Sequence, residues 1–223
     1  MVFLVNRKLL YIAVTLIIFI FGIKIYFAND NYPDLIKKAV LEVENLSSYR
    51  YTSEVRIMER EKVEYLSRVE GVKTGEGTWV KGEILETPVE ILCIDNTTYF
   101  RDSQTGRWLT FPGIKLEEAE ALVNELNPLR VLAFNRVENV RFRGTEKIDG
   151  EKCLVLEGRP DYQHPILKHL YYDYEGKFYL AKKDKKLKRV VLRAKSRFNK
   201  TVILAVRITF REAGKEVKLP APG

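Results

Sequence analysis

Tyr49-Arg50-Tyr51-Thr52-Ser53-Glu54-Val55-Arg56-Ile57 is the stretch that decides the fold class. Tyr49, Tyr51, Ser53, Val55 and Ile57 alternate with Arg50, Thr52, Glu54 and Arg56. Successive side chains of an extended chain point to opposite faces, so this period of two predicts a strand with one face in a core. Immediately upstream the period is different. In residues 33–46 (PDLIKKAVLEVENL), Leu35, Ile36, Ala39, Val40, Val43 and Leu46 recur at the helical spacing and share one face. Pro33 suits the first turn of that helix, Asn31 can cap it, and Ser47-Ser48 ends it.

Downstream the alternation continues. Strands are expected at 63–70, 76–84, 88–95, 97–102 and 107–110, with turn chemistry at Asp95-Asn96 and at Ser103-Gln104-Thr105-Gly106. Residues 115–126 (KLEEAEALVNEL) then read as a helix; Asn127-Pro128 breaks it and opens a second short one at 129–134. Strands resume at 137–147, 152–159, 168–174, 177–183, 186–197 and 200–211, with turns at Asp149-Gly150, Glu175-Gly176 and Asn199-Lys200. The tail, 213–223, is expected to fray. So many sequential antiparallel strands must curl to bury one face. The fold class is therefore mainly β, a curled antiparallel sheet or open half-barrel. An amphipathic helical insertion, near 115–134, needs an apolar surface and would find it on the concave side.

Working back to the start, residues 9–27 (LLYIAVTLIIFIFGIKIYF) form an apolar run long enough to cross the roughly 30 Å hydrocarbon core of a bilayer as a helix. Lys24 can snorkel, and Tyr11 and Tyr26 sit near the two interfaces. Arg7 and Lys8 place residues 1–8 in the cytoplasm and the body, residues 31–212, outside it. A signal peptide cleaved after Ala28 would have bulky Tyr26 at the −3 position, so an uncleaved single-pass anchor is the preferred reading. No cysteine near the junction could carry a lipid.

The 223 residues are 46% hydrophobic and 30% charged, a globular composition. Two Gln (Gln104 and Gln163), two Met and abundant Lys, Arg and Glu fit a heat-adapted source. The net charge of +8 is uneven: residues 177–218 hold 15 Lys/Arg against 3 Asp/Glu, so the rest is net acidic. That segment could face anionic lipid or nucleic acid; a solvated sheet face is the preferred reading, and the aromatics in and beside it (Tyr174, Phe178, Tyr179, Phe198) suit sheet packing better than base stacking. Nucleic acid is not the expected partner.

Catalytic motifs are missing: no Gly-x-Ser-x-Gly elbow, no phosphate-binding glycine loop, no His-Glu-x-x-His. Asp161, His164, His169 and Asp173 are spaced for neither a helix face nor a strand face, and Pro165 intervenes. Glu117, Glu118 and Glu120 read as a solvated helix face. The expectation is a non-enzyme with no metal or cofactor. Cys93 and Cys153 are the two cysteines; an exported domain permits a disulfide between them, worth about 3–4 kcal/mol for a loop of about 60 residues, and two separate buried thiols are the alternative.

One resemblance runs through residues 33–212. It is carried by Asn45-Leu46-Ser47-Ser48-Tyr49-Arg50-Tyr51 after the opening helix, Tyr99-Phe100-Arg101 followed by Arg107-Trp108, and Asn127-Pro128-Leu129. Gly144-Thr145, Asp149-Gly150, Cys153-Leu154-Val155-Leu156-Glu157-Gly158 and Tyr171-Tyr172-Asp173-Tyr174-Glu175-Gly176-Lys177 complete it. In this order the marks resemble the LolA-like fold family, which includes periplasmic lipoprotein carriers, the LppX and LprG lipid-carrier lipoproteins and the sensor domain of RseB-type regulators. The resemblance implies a half-barrel closed by a helical lid over an acyl-chain cavity. Members usually carry a cleaved leader or a lipidated cysteine; a tethered chain cannot shuttle, which favours local lipid or lipoprotein handling or envelope sensing. Such a cavity needs inward apolar side chains. The candidates are Tyr49, Tyr51, Val55, Ile57, Trp79, Ile91, Trp108, Leu154, Leu156, Val202, Leu204 and Val206, with Leu122, Leu129 and Leu132 from the lid. The alternative is a filled core in a regulatory domain that binds an envelope protein.

Overall fold

The computed structural model describes residues 31–94, 97–113, 127–162 and 165–221. The expected anchor at 9–27, the helix at 115–126 with Leu122, and His164 lie outside the described residues. Among the described residues no helix is long and apolar enough to cross a membrane.

Helix α1 (Tyr32–Glu44) opens the body and buries Ile36, Ala39, Val40 and Val43, the stripe expected from its periodicity. Asn31 does not cap it with its side chain. The Asn31 amide donates to the Asp34 carboxylate, and its carbonyl accepts from Leu35 N at 2.9 Å. Among the described residues eleven strands follow: β1 (Tyr49–Glu59), β2 (Lys62–Lys73), β3 (Gly77–Ile84), β4 (Thr87–Ile94), β5 (Thr97–Arg101), β6 (Trp108–Pro112), β7 (Phe134–Ile148), β8 (Glu151–Tyr162), β9 (Tyr171–Ala181), β10 (Leu187–Ser196) and β11 (Val202–Arg211). A 3₁₀ helix (Pro128–Leu132) precedes β7, where the sequence suggested a helix to 134, and a short helix α2 (Pro165–Leu170) precedes β9.

All eleven strands form one sheet in the order β6-β5-β4-β3-β2-β1-β11-β10-β9-β8-β7, with every described pairing antiparallel. The first and last strands meet in the middle, β1 against β11. The two edges, β6 and β7, are neighbours in sequence, so the segment between them joins one edge of the sheet to the other. Register shifts at Val55/Arg56, in β7 against β8 and in β9 against β10 bend the strands; an extra residue on one strand sharpens twist and curl. α1 lies against β7 and β10 on the face where the main core forms.

One expected turn is absent. Glu175-Gly176 does not separate two strands; both residues run inside β9, Gly176 opposite Gly158 on one side and Leu192 on the other. A Cβ on Gly176 would stand 2.7 Å from the Phe178 ring and 3.3 Å from Leu192. The glycine is there so that these side chains can occupy its space, and not to reverse the chain. By contrast Asp149-Gly150 is a true hairpin turn, with φ of 48° and 83° as a two-residue loop requires.

The tail expected to fray makes contacts through 217. Gly214 N donates to the Ser48 carbonyl at 3.0 Å, Ser48 Oγ donates to the Lys215 carbonyl at 2.5 Å, and Val217 is buried.

Candidate functional site: the concave apolar face

The sheet sorts its residues by strand phase. On the concave side, aligned cross-strand pairs carry the apolar surface from β10 through the centre to β5. Leu192 faces Val206 and Val206 faces Val55; Ala194 faces Leu204 and Leu204 faces Ile57. Phe210 faces Tyr51, and the line continues through Gly71, Val80, Ile91 and Phe100. Most of these belong to one continuous core with α1, Leu129 and Leu132. Tyr162 Oη donates to the Val131 carbonyl and ties the 3₁₀ turn to β8.

Of the residues singled out from sequence, Tyr49, Tyr51, Ile91, Leu129, Leu132, Leu156, Leu204 and Val206 are in this core, with Val55 and Ile57 half-buried against it. Leu154, opposite the core residue Leu180, and Val202, two residues before Leu204, share the same strand phase. Trp79 and Trp108 do not. Trp79 pairs with Val72 and Leu92 on the convex face, and Trp108 pairs with Arg101 there. Each is in phase with polar neighbours, Trp79 with Lys81 and Glu83, Trp108 with Thr110, and that phase was the readable signal. The side chains that do face inward near them were missed: Ile84, Phe100, Leu109 and Phe111, with the Phe100 and Phe111 rings edge-to-face at 5.4 Å.

The face is not uniform. Beneath α1 it is filled: Phe178, Leu180 and Ile36 are fully buried, and Val137, Val140 and Phe178 occupy the space left by Gly158 and Gly176. Toward the other half, Val55, Ile57, Ile84 and Phe100 are half-buried, and Leu109 and Phe111 are exposed. Two hydroxyls in phase with this face, Ser67 Oγ and Thr78 Oγ1, are buried without a hydrogen-bond partner among the described residues. A mainly apolar surface with a few unspent polar atoms is the composition a hydrophobic ligand with a polar end requires.

Cys93 and Cys153 are not joined in a disulfide; of the two arrangements open from sequence, the structure has the two separate buried thiols. Cys93 belongs to the concave core, 3.5 Å from Thr98 Oγ1. Cys153 packs with Ile148, Val155 and Tyr179 in a separate cluster on the convex face. A sheet stands between them. Burial, followed by the nearby Glu151 carboxylate, pushes the Cys153 thiol pKa up and keeps it protonated.

The convex face explains the basic C-terminal segment. Across it, rows of opposite charge alternate: Lys177 with Glu157 at 3.5 Å, Arg207 with Glu54 at 3.2 Å, and Arg68 with Glu83 at 4.0 Å. Glu90 receives Arg101 at 2.9 Å and Trp79 Nε1 at 3.2 Å, with Lys81 at 3.7 Å. Burial raises the Glu90 pKa, but those hydrogen bonds and cations outweigh it and hold the carboxyl below its ordinary value. A convex-side groove of about 680 Å³ runs along these residues; its cations already face carboxylates, so it suits no acyl chain. Among the described residues no cluster could hold a metal; Asp173 is engaged by Lys195 at 2.6 Å.

No protein-family model and no curated protein matches the chain. Solved structures do. LprF from Mycobacterium bovis aligns over 85% of this chain and 95% of its own, at 17% identity and a TM-score of 0.56. The chain shares the fold of LprF. The Mycobacterium tuberculosis lipoprotein LppX aligns over 84% of this chain and 97% of its own, at 13% identity and a TM-score of 0.46. A LolA superfamily protein from Nitrosomonas europaea covers 84% and 94%, at 10% identity and a TM-score of 0.33. What the chain shares with these proteins at such identities is no more than a fold.

Proposed function

We propose that this is a membrane-tethered extracytoplasmic domain that binds a lipid or other acyl-chain ligand on the concave face, for local lipid or lipoprotein handling or envelope sensing. The observation that carries the reading is the half-open stretch of that face, where Val55, Ile57, Ile84 and Phe100 are only half-buried and the hydroxyls of Ser67 and Thr78 are unspent. The segment joining the two sheet edges passes over the concave side at its end, since Leu129 and Leu132 are buried there. In this proposal it is the lid, and an acyl chain lies between it and β1–β5. The LolA-like fold supports the same use of the face. The tether is residues 9–27, whose length and flanking charges suit a single span with the N-terminus in the cytoplasm. No step of this role needs a catalytic group.

The test is to release the body from the membrane at a protease site engineered after Ala28, purify it without detergent, and extract it for lipid mass spectrometry. A stoichiometric acyl-chain lipid is the expected result. A stable, lipid-free monomer would overturn it and leave the second reading, a regulatory domain that binds an envelope protein. The filled packing under α1 is what favours that alternative.

A further inference from the structure

We infer that the end of the sheet bearing the β1–β2 and β10–β11 turns is a docking surface for an anionic bilayer. This rests on the tether of the proposed function. Only residues 28–31 separate the expected span from α1, and four extended residues reach about 14 Å, so some surface of the body must meet the lipid headgroups.

At this end apolar side chains face water. Phe198, in the β10–β11 turn, is 82% exposed, the highest among the exposed large hydrophobics described. Leu170 is beside it: Arg197 N donates to the Leu170 carbonyl at 2.9 Å. Val63 is 51% exposed at the start of β2, and Met58 and Ile203 continue its row across β1 and β11 on the convex side. The two turns are locked together, because Glu59 Oε1 accepts from Asn199 Nδ2 at 2.9 Å and from Thr201 Oγ1 at 3.1 Å. The tips are thus presented as one rigid edge.

The charge around them fits phospholipid. Lys62, Lys168, Arg197 and Lys200 surround the tips, and Arg56 and Arg193 flank the buried Ala205 one row up. The six outnumber the five carboxylates of this end, Glu59, Glu61, Glu64, Asp173 and Glu175; Glu59 is already occupied, Asp173 is held by Lys195 at 2.6 Å, and Glu175 stands opposite Arg193. Among the described residues Arg56 and Arg193 join no ion pair, in contrast to Arg207 and Arg68 along the same face. Aromatic and aliphatic tips that enter the interface, ringed by cations that meet phosphate, are the two elements of reversible attachment to anionic membranes.

The test uses the full chain in nanodiscs, with a nitroxide at Phe198→Cys and, as a control, at Gly75→Cys in the β2–β3 turn at the far end. Cys93 and Cys153 are buried and do not compete for label. With phosphatidylglycerol present, the label at 198 is expected to shift from water to lipid accessibility, judged by oxygen against a water-soluble nickel chelate, while the label at 75 stays in water. Changing Lys62 and Lys200 to Glu should abolish the shift. A label at 198 that stays in water while the chain remains inserted overturns the docking and leaves the tether intact. Equal immersion in purely zwitterionic lipid overturns the anionic recognition. Spin–spin broadening independent of lipid composition would mean a second copy covers the surface, and overturns it too. A chain that does not stay with the nanodisc defeats the tether itself, and this inference with it.

Discussion

Gly71 lies directly beneath the ring of Tyr51, its partner across β1 and β2: a Cβ built on Gly71 would stand 2.2 Å from Tyr51 Cζ. Tyr51 is 1% exposed and its ring packs beside Tyr49, with centroids 6.0 Å apart, so it has no free direction in which to withdraw. The glycine is a socket for an aromatic ring. Gly71→Ala is expected to cost about 2 kcal/mol through overpacking, lowering the melting temperature by about 4–8 °C. Thermal unfolding followed by circular dichroism measures this; an unchanged midpoint would show that the ring can move.

The Glu90 carboxylate should make the body sensitive to acid. Its folded pKa lies below its ordinary value, as do those of Asp149, Glu157 and Asp173. A carboxylate with a depressed folded pKa contributes fully above the unfolded value, about pH 4, and loses the contribution as pH falls through the folded value. Stability should therefore hold from neutrality to about pH 5 and decline below about pH 4. Glu90→Gln leaves Arg101 and Lys81 without their carboxylate and is expected to cost about 1 kcal/mol at pH 7. It should also flatten only part of the acid decline, since Asp102, Asp149, Glu157 and Asp173, all with lowered values, remain. Melting temperatures of both proteins across pH 3–7 check both statements; parallel curves would remove Glu90 from the account.

Cys93 and Cys153 should both titrate as thiols, and only after unfolding. Each is buried, on opposite faces of the sheet. The folded protein is expected to react slowly with a disulfide reagent, to release two equivalents in denaturant, and to melt at the same temperature with or without reductant. A reductant-dependent melting temperature would mean the cysteines are linked in solution.

Much of this architecture is legible in the sequence. The alternation at Tyr49–Ile57, the apolar stripe Ile36-Ala39-Val40-Val43 and the Asp149-Gly150 turn each depend on neighbours within a few residues, and each holds in the structure. The inward phase of β1 and β11 was readable because charged residues mark the other side. The phase of β3 and β6 was harder. Trp79 and Val80 are both large and apolar, as are Trp108 and Leu109, so the outward face is marked only by the polar residues in phase with each tryptophan, Lys81 and Glu83 in β3 and Thr110 in β6.

The sequence by itself determined the kinds of element, their order, and that many antiparallel strands must curl over an apolar face, because side-chain periodicity and turn chemistry are local. Only the tertiary structure decided that β1 closes on β11, that β6 and β7 are the edges, that residues 171–181 are one strand through Gly176, and that Cys93 and Cys153 look away from each other. Those outcomes rest on contacts between residues far apart in the chain, such as Phe178 and Leu192 filling the space a side chain at 176 would take, and no local period encodes them.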